Sequence, residues 1–279
     1  MDSNHAPAKR SRLGWKLPSQ CVICHALPAD SICHACRQAH APVQLRCAGC
    51  ALLLPASQVE ALRSQTTAHT IAPANDAAAA SLPGAAALLC ADCLRQPLAG
   101  VDACYAAVSY AWPWQQCVDG FKFGAQTGWA HAFAELMLLN PSAQQAIRHC
   151  DWLIPMPLHP VRLAERGFNQ SLLLARALRA AAHQQQPLLP HQARLNSRAL
   201  LRVRPTHAQS RLPLAARLRN VHGAFAVAPD QAAALAGQRI MLVDDVMTSG
   251  ASVLAAAQAL HDAGAAHVQV MVFARTEKG

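Results

Sequence analysis

The chain of 279 residues has no apolar run that approaches the length of a membrane span, although 53% of it is hydrophobic. A membrane-spanning helix is excluded, and the apolar content is available for a packed core. Met1 to Leu17 carries basic residues but no apolar core of a secretory signal, so the chain is read as cytoplasmic. Acids are scarce in one window. Between Arg162 and Arg219 the sequence has a single acid, Glu165, and no lysine, whereas 11 of the 24 basic residues fall there, all arginine. So little counter-charge points to a polyanionic ligand: phosphates, nucleic acid, or both. Codon preference explains arginine over lysine but not the missing acids. Aromatic residues are sparse from Arg204 to Phe225, which argues against a dedicated platform for stacking single-stranded bases. No segment carries the open three-ligand pattern of a hydrolytic zinc enzyme.

Cysteine is plentiful, with 11 in the chain. Eight form CxxC pairs: Cys21/Cys24, Cys33/Cys36, Cys47/Cys50 and Cys90/Cys93. Each CxxC turn can place two thiolates on one metal, and two turns complete a tetrahedral site. The pairs therefore predict structural Zn²⁺, in up to two sites whose pairing order the sequence leaves open. A disulfide framework is disfavoured in a reducing compartment. Cys104, Cys117 and Cys150 stand alone and are expected to be buried and inert. Residues 55–89 are rich in Ala, Ser, Thr, Gln and Pro and read as a flexible insertion.

The most informative stretch is Ile240-Met241-Leu242-Val243-Asp244-Asp245-Val246-Met247-Thr248-Ser249-Gly250-Ala251-Ser252. Four apolar residues predict a buried parallel strand. Asp244 and Asp245 lie at its C-terminal end, where open α/β sheets bind ligands, and can accept hydrogen bonds from neighbouring sugar hydroxyls. Thr248, Ser249, Gly250, Ala251 and Ser252 offer backbone N–H groups, hydroxyls and a helix N-terminus, together an anion site. The expected ligand is a ribose 5-phosphate.

This stretch resembles the phosphoribosyl pyrophosphate (PRPP) signature of type I phosphoribosyltransferases. Pro155-Met156-Pro157-Leu158, Arg162 and Arg166-Gly167-Phe168-Asn169-Gln170 make the resemblance more specific. So do Arg204 to Leu212, Arg217 to Phe225 and Phe121-Lys122-Phe123. Together with the CxxC pairs they resemble the ComF family (ComFC and GntX-like proteins) over roughly residues 20–54 and 88–279. The Ala-rich insertion is a departure from that pattern. The resemblance implies that Arg162 and Arg166, on a loop after the strand Trp152-Leu153-Ile154, face the pyrophosphate of PRPP. It implies Mg²⁺ bound with PRPP, and a mobile basic loop over Arg204 to Phe225. It also implies a link to DNA uptake and natural transformation, with single-stranded DNA and competence proteins as partners.

Further strands are expected within Val101–Trp112, Gln192–Leu200 and Val268–Phe273. Helices are expected at Gly128–Leu139, Ser171–Ala182 and Ser252–Ala263. The alternation predicts an α/β fold: a type I phosphoribosyltransferase-like parallel sheet flanked by helices, with a small N-terminal zinc module. The organisation read from sequence is a basic tail (1–19), a CxxC module with the insertion (20–98) and a phosphoribosyltransferase-like domain (99–279). Lys122 reads either as a cation near the pocket, ahead of the first helix, or as an exposed lysine. Three functions fit: an enzyme transferring phosphoribosyl groups to an amine or base, a PRPP sensor, or a non-catalytic single-stranded-DNA-binding competence accessory protein.

Overall fold

The computed structural model describes residues 20–27, 31–59, 88–185, 193–204, 221 and 223–278. Two compact units divide the chain, 1–39 and 40–279. In the first, a turn carries Cys21 and Cys24, and helix α1 (His34–His40) begins next to Cys33 and carries Cys36.

The second unit is built on a parallel sheet. Its strands among the described residues are β1 (Ala103–Ser109), β2 (Trp152–Pro155), β3 (Arg194–Leu195), β6 (Arg239–Met247) and β7 (His267–Arg275), in the order β1-β7-β6-β2-β3. Two further strands, β4 (Leu200–Arg202) and β5 (Phe225–Val227), pair antiparallel as a separate ribbon. Central β6 lies in register with both neighbours: Leu242 is paired with Ile154 on one side and Val270 on the other. Ile240 to Val243 are all buried, as a strand covered on both faces requires.

Successive side chains point to opposite faces, and each face has its own partner. Ile240, Leu242, Val268, Val270 and Val272 meet helix α9 (Ala251–Asp262) through Val253, Ala256, Ala257 and Leu260. Phe273 meets the other layer, stacking on Phe133 of α4 (Trp129–Met137) with centroids 3.7 Å apart. Trp114 of α3 (Trp114–Phe123) meets the same Phe273 edge-on. Helix α7 (Gln170–Gln185) covers β2 and β6 and packs on α4, burying Gln170, Ser171, Leu174, Ala175, Leu178 and Ala181 at helical spacing. Further helices among the described residues are α2 (Ala91–Arg95), α5 (Pro141–His149), α6 (Pro160–Arg166) and α8 (Ala232–Leu235).

The structure corrects three local readings. The Pro-rich stretch after β2 is not loop throughout, because α6 carries both Arg162 and Arg166. Pro160 sits in its first turn, where a missing N–H costs nothing, and the His159 ring accepts from Val161 N–H. Gly167, at φ 78°, closes the helix with its N–H on the Leu163 carbonyl. Lys122 lies in the last turn of α3, not ahead of a helix. The expected strand over 192–200 is instead β3 and β4, separated by a turn in which Asn196 Oδ1 accepts from Arg198 N–H.

The second cysteine group belongs to this larger unit. Ala48 O accepts from Cys104 N–H of β1 at 2.7 Å, and Ala51 and Leu98 join the core beneath α9. The Phe133 side chain is fully buried among Trp129, Phe121 and Phe273. Phe133→Ala is expected to cost about 3–5 kcal/mol, read as a lower urea midpoint with an unchanged slope.

Candidate functional site

The carboxylates that end β6 have unlike surroundings. Asp245 is 3% exposed; its Oδ1 accepts from Val246 N–H, and its Oδ2 pairs with Lys122 Nζ at 3.0 Å. Burial alone would lower the Lys122 pKa, but the charges of Asp245 and Asp244 outweigh it and raise the pKa above the usual lysine range. Asp244 is half-buried, and its Oδ1 accepts from Ser171 Oγ at 2.8 Å and Asp245 N–H at 2.9 Å. Burial, then the adjacent Asp245 charge, pushes the Asp244 carboxyl up to about 7.

Thr248, Ser249 and Gly250 connect β6 to α9, and Ala251 and Ser252 form the first turn of that helix. Gly250, at φ 81°, is the N-cap residue, and a Cβ there would come within 2.9 Å of the Met247 methyl. The positive φ is what requires glycine, since the Met247 methyl is the end of a flexible side chain and can give way. Ser249 Oγ accepts from Ala251 N–H at 3.4 Å. No acid lies in the first turn of α9, so its amide groups and dipole favour an anion. Behind the loop, the Arg275 guanidinium donates from Nη1 to the carbonyls of Met247 (3.0 Å), Thr248 and Thr276 (2.7 Å).

A cavity of about 230 Å³ is lined by Lys122, Phe123, Ala125, Arg162, Glu165, Arg166 and Phe168. The Arg166 guanidinium lies 5.1 Å from the Phe123 ring centre and donates to Gln170 Oε1 at 2.5 Å. Its pKa is lowered by burial, against the opposing pull of Asp245 and Asp244. Each residue of the segment from Arg166 to Ser171 has a task. Gly167 ends α6, and Phe168 packs on Phe121. Asn169 Oδ1 caps α7 by accepting from Ser171 and Leu172 N–H, while its Nδ2 donates to Met156 O. Gln170 steers Arg166, and Ser171 steers Asp244. The segment thus ties the basic cavity to the acids of β6. Arg202 also faces the site: its guanidinium is 5.5 Å from the Phe225 ring, and its pKa is lowered by burial and then by Arg162, with Asp244 opposing.

The structure thus brings Asp244, Asp245, Arg166 and Lys122 into one electrostatic neighbourhood, with Arg162 exposed at the rim of the cavity. Sequence reasoning missed Ser171 and Gln170 and left Lys122 undecided. Of the basic segment, Thr206, Gln209, Arg211, Arg217 and Arg219 lie outside the described residues.

The cysteines cluster in chain order. Cys21, Cys24, Cys33 and Cys36 form one group and Cys47, Cys50, Cys90 and Cys93 another, with the sulfurs of each within 4.8 Å of one another. The Cys24–Cys33 and Cys50–Cys90 sulfurs are 3.6 and 3.7 Å apart. A tetrahedral ion with Zn–S bonds of ~2.3 Å needs sulfurs roughly 3.8 Å apart. Backbone N–H groups of Cys33 and Cys90 donate to Cys21 Sγ and Cys47 Sγ, as thiolates require. The Cys47 thiol is held down at about 4, first by the Cys50 hydrogen bond. Both groups could hold zinc. Cys104, Cys117 and Cys150 are buried apart from them, and burial raises Cys104 and Cys150 to about 12.

The raised Asp244 pKa has a definite sign. Between the unfolded value near ~4 and about 7, the native state holds a proton that the unfolded chain has lost. Asp244 therefore subtracts stability as pH rises through this range. Asp244→Asn should raise the thermal midpoint at pH 8, with the gain shrinking to nothing toward pH 4. A gain that is constant with pH would refute this.

Comparison with known proteins adds to the geometry. The phosphoribosyl transferase domain family matches residues 205–279, which include the acids and the anion loop. The "DNA utilization protein YhgH" of Escherichia coli K12 is 33% identical over 193 residues, covering 68% of this chain and 78% of that protein. Its counterpart from Salmonella typhi is 33% identical over 202 residues, covering 69% and 80%. "Competence protein F" of Haemophilus influenzae is 28% identical over 189 residues, covering 67% and 78%. With the parallel sheet, the acids of β6 and the cysteine groups, these matches show that the chain belongs to the ComF family of phosphoribosyltransferase-like proteins.

Proposed function

We propose that the chain binds PRPP and either transfers its phosphoribosyl group or senses it, in the service of DNA utilization. One observation carries the reading. The carboxylates of β6, which lead directly into the glycine-capped turn to α9, are joined to a basic cavity through Ser171, Gln170 and Arg166. Thr248 to Ser252 would hold the 5-phosphate. Asp244, whose Oδ1 already carries two donors, would offer Oδ2 to a ribose hydroxyl. Asp245 is committed to Lys122, so its part is to fix that cation and the strand end rather than to grip the sugar. Arg162 and Arg166 would face the pyrophosphate, and Arg202 would add charge nearby.

Transfer would break the bond from ribose C1 to pyrophosphate and form one to an amine or base. Positioning and charge stabilisation would supply the rate, with no nucleophilic side chain. Mg²⁺ would be held mainly by ligand oxygens and water. Both cysteine groups would hold structural Zn²⁺, the first in the N-terminal unit and the second within the larger one. Thiolate ligands fit a reducing cytoplasm. No helix among the described residues is long and apolar enough to cross a membrane.

A second reading is that of a single-stranded-DNA-binding competence accessory protein without transfer. The names of the relatives favour it, as does the arginine excess from Arg162 to Arg219. Arg204 is exposed, and the Arg202 guanidinium lies 5.5 Å from the Phe225 ring centre.

Calorimetric titration with PRPP and Mg²⁺ should give saturable binding. Asp244→Asn removes a charged acceptor worth roughly 1.5–3 kcal/mol, so affinity should fall by about tenfold or more. Unchanged affinity, with a native circular dichroism spectrum, would sink the reading. Native mass spectrometry should find two zinc ions per chain, and a metal-free preparation with full thermal stability would contradict the metal assignment.

A further inference from the structure

Arg275 ends β7 with 5% of its surface exposed. A guanidinium there must find acceptors for its donors or forfeit its hydration. The acceptors come from three parts of the chain: Cys50, the end of β6 with Thr248, and the neighbouring Thr276. Nε donates to Cys50 O at 2.8 Å, and Nη1 donates to the carbonyls of Met247, Thr248 and Thr276. Cys50 belongs to the second cysteine group, and Thr248 opens the anion loop. One rigid planar cation therefore spans both.

The cysteine knuckle is fixed to the sheet at further points. Arg46, next to Cys47, donates from Nη1 to Ala51 O and Glu277 Oε1 and from Nη2 to Ser109 Oγ. Glu277 Oε2 accepts from Leu53 N–H. Leu98, which follows α2, lies 4.0 Å from the position a Cβ on Gly250 would take. Four thiolates within 4.8 Å repel one another unless a cation lies among them, so metal occupancy bears on where Cys50 sits even though its neighbours Ala51 and Leu53 are tethered to the sheet.

We propose that Arg275 is a positioning residue that couples metal occupancy of Cys47, Cys50, Cys90 and Cys93 to the conformation of Thr248 to Ser252. The metal-loaded knuckle holds the Cys50 carbonyl, which orients the guanidinium, which holds the Thr248 carbonyl and hence the amide groups that meet an anion. Loss of the metal frees that end of the link and relaxes the loop without dismantling the sheet. What the loop binds rests on the PRPP reading, but the coupling does not.

The test is amide hydrogen exchange at residues 247–252 in the full chain, with and without a zinc chelator. Metal removal should speed exchange there by about tenfold or more, equivalent to about 1.4 kcal/mol, while Ile240 to Val243 stay protected. In Arg275→Lys, which keeps the charge but loses the fork, the loop should exchange fast in both states, and chromophoric chelator competition should show the zinc retained. By reciprocity, saturating PRPP should raise the equilibrium affinity for zinc in wild type and not in Arg275→Lys. Metal-independent exchange at the loop would overturn the proposal, as would a rise of equal size across the sheet. If Arg275→Lys does not fold, Arg275→Gln takes its place with the same expectation, and metal-dependent exchange that survives in it would overturn the role of Arg275. If zinc-loaded wild type shows metal-dependent exchange but no calorimetric PRPP binding, the PRPP reading fails and the coupling stands.

Discussion

A strand buried on both faces cannot end in two adjacent carboxylates unless counter-charge is brought to it, and the ion pair of Asp245 with Lys122 supplies that charge. The pair is 3.0 Å long and largely shielded from water. Removing one partner of such a pair commonly costs about 3–5 kcal/mol, because the other is left charged and buried. Helix α3 is thereby bound to β6, and the carboxylates are divided between two duties. Asp245 is held as a structural anion, and Asp244 remains half-open to a ligand. The basic cavity starts from the same point, since Lys122 forms part of its wall.

From this anchor, order spreads through short-range contacts. Asn169 fixes the start of α7, which places Gln170 against Arg166 and Ser171 against Asp244. Two oppositely charged parts of the pocket are thus set by three consecutive side chains. Their hydrogen bonds are charge-assisted, shorter and stronger than neutral ones. On the far side of the loop, backbone carbonyls take the place of carboxylates, and Arg275 gathers them. The start of the anion loop is thus held by a group outside it.

Much of this was legible in the sequence. The run Ile240–Val243, the acids and the helix that follows are written in local pattern, because a two-faced strand and a glycine-capped turn each restrict composition. The parallel sheet followed from the alternation of elements. Helix α6 was not legible: Pro155-x-Pro157 and Pro160 read as breakers, yet Pro160 starts the helix. Helix α3 was missed although Trp114, Cys117, Val118 and Phe121 recur at helical spacing, because Gly120 interrupts it and Pro113 precedes it, and Lys122 was misplaced with it. Ser171 carried no signal, since its partner lies 73 residues away. The order of cysteine pairing was equally invisible, because spacing within CxxC says nothing about which turns meet.

That pairing order has a consequence for chain length. In the second group the sulfurs of Cys50 and Cys90 are 3.7 Å apart although 40 positions separate them. Val59 and Leu88 pack against the same small apolar cluster, so the chain leaves and returns at nearly one place. Loop-closure entropy grows only slowly with length, by about 0.6 kcal/mol per doubling. The number of residues between Val59 and Leu88 can therefore change at small cost in closure entropy while both ends keep their places in the cluster. The same property makes the segment between them a natural position at which to graft a reporter or an affinity handle.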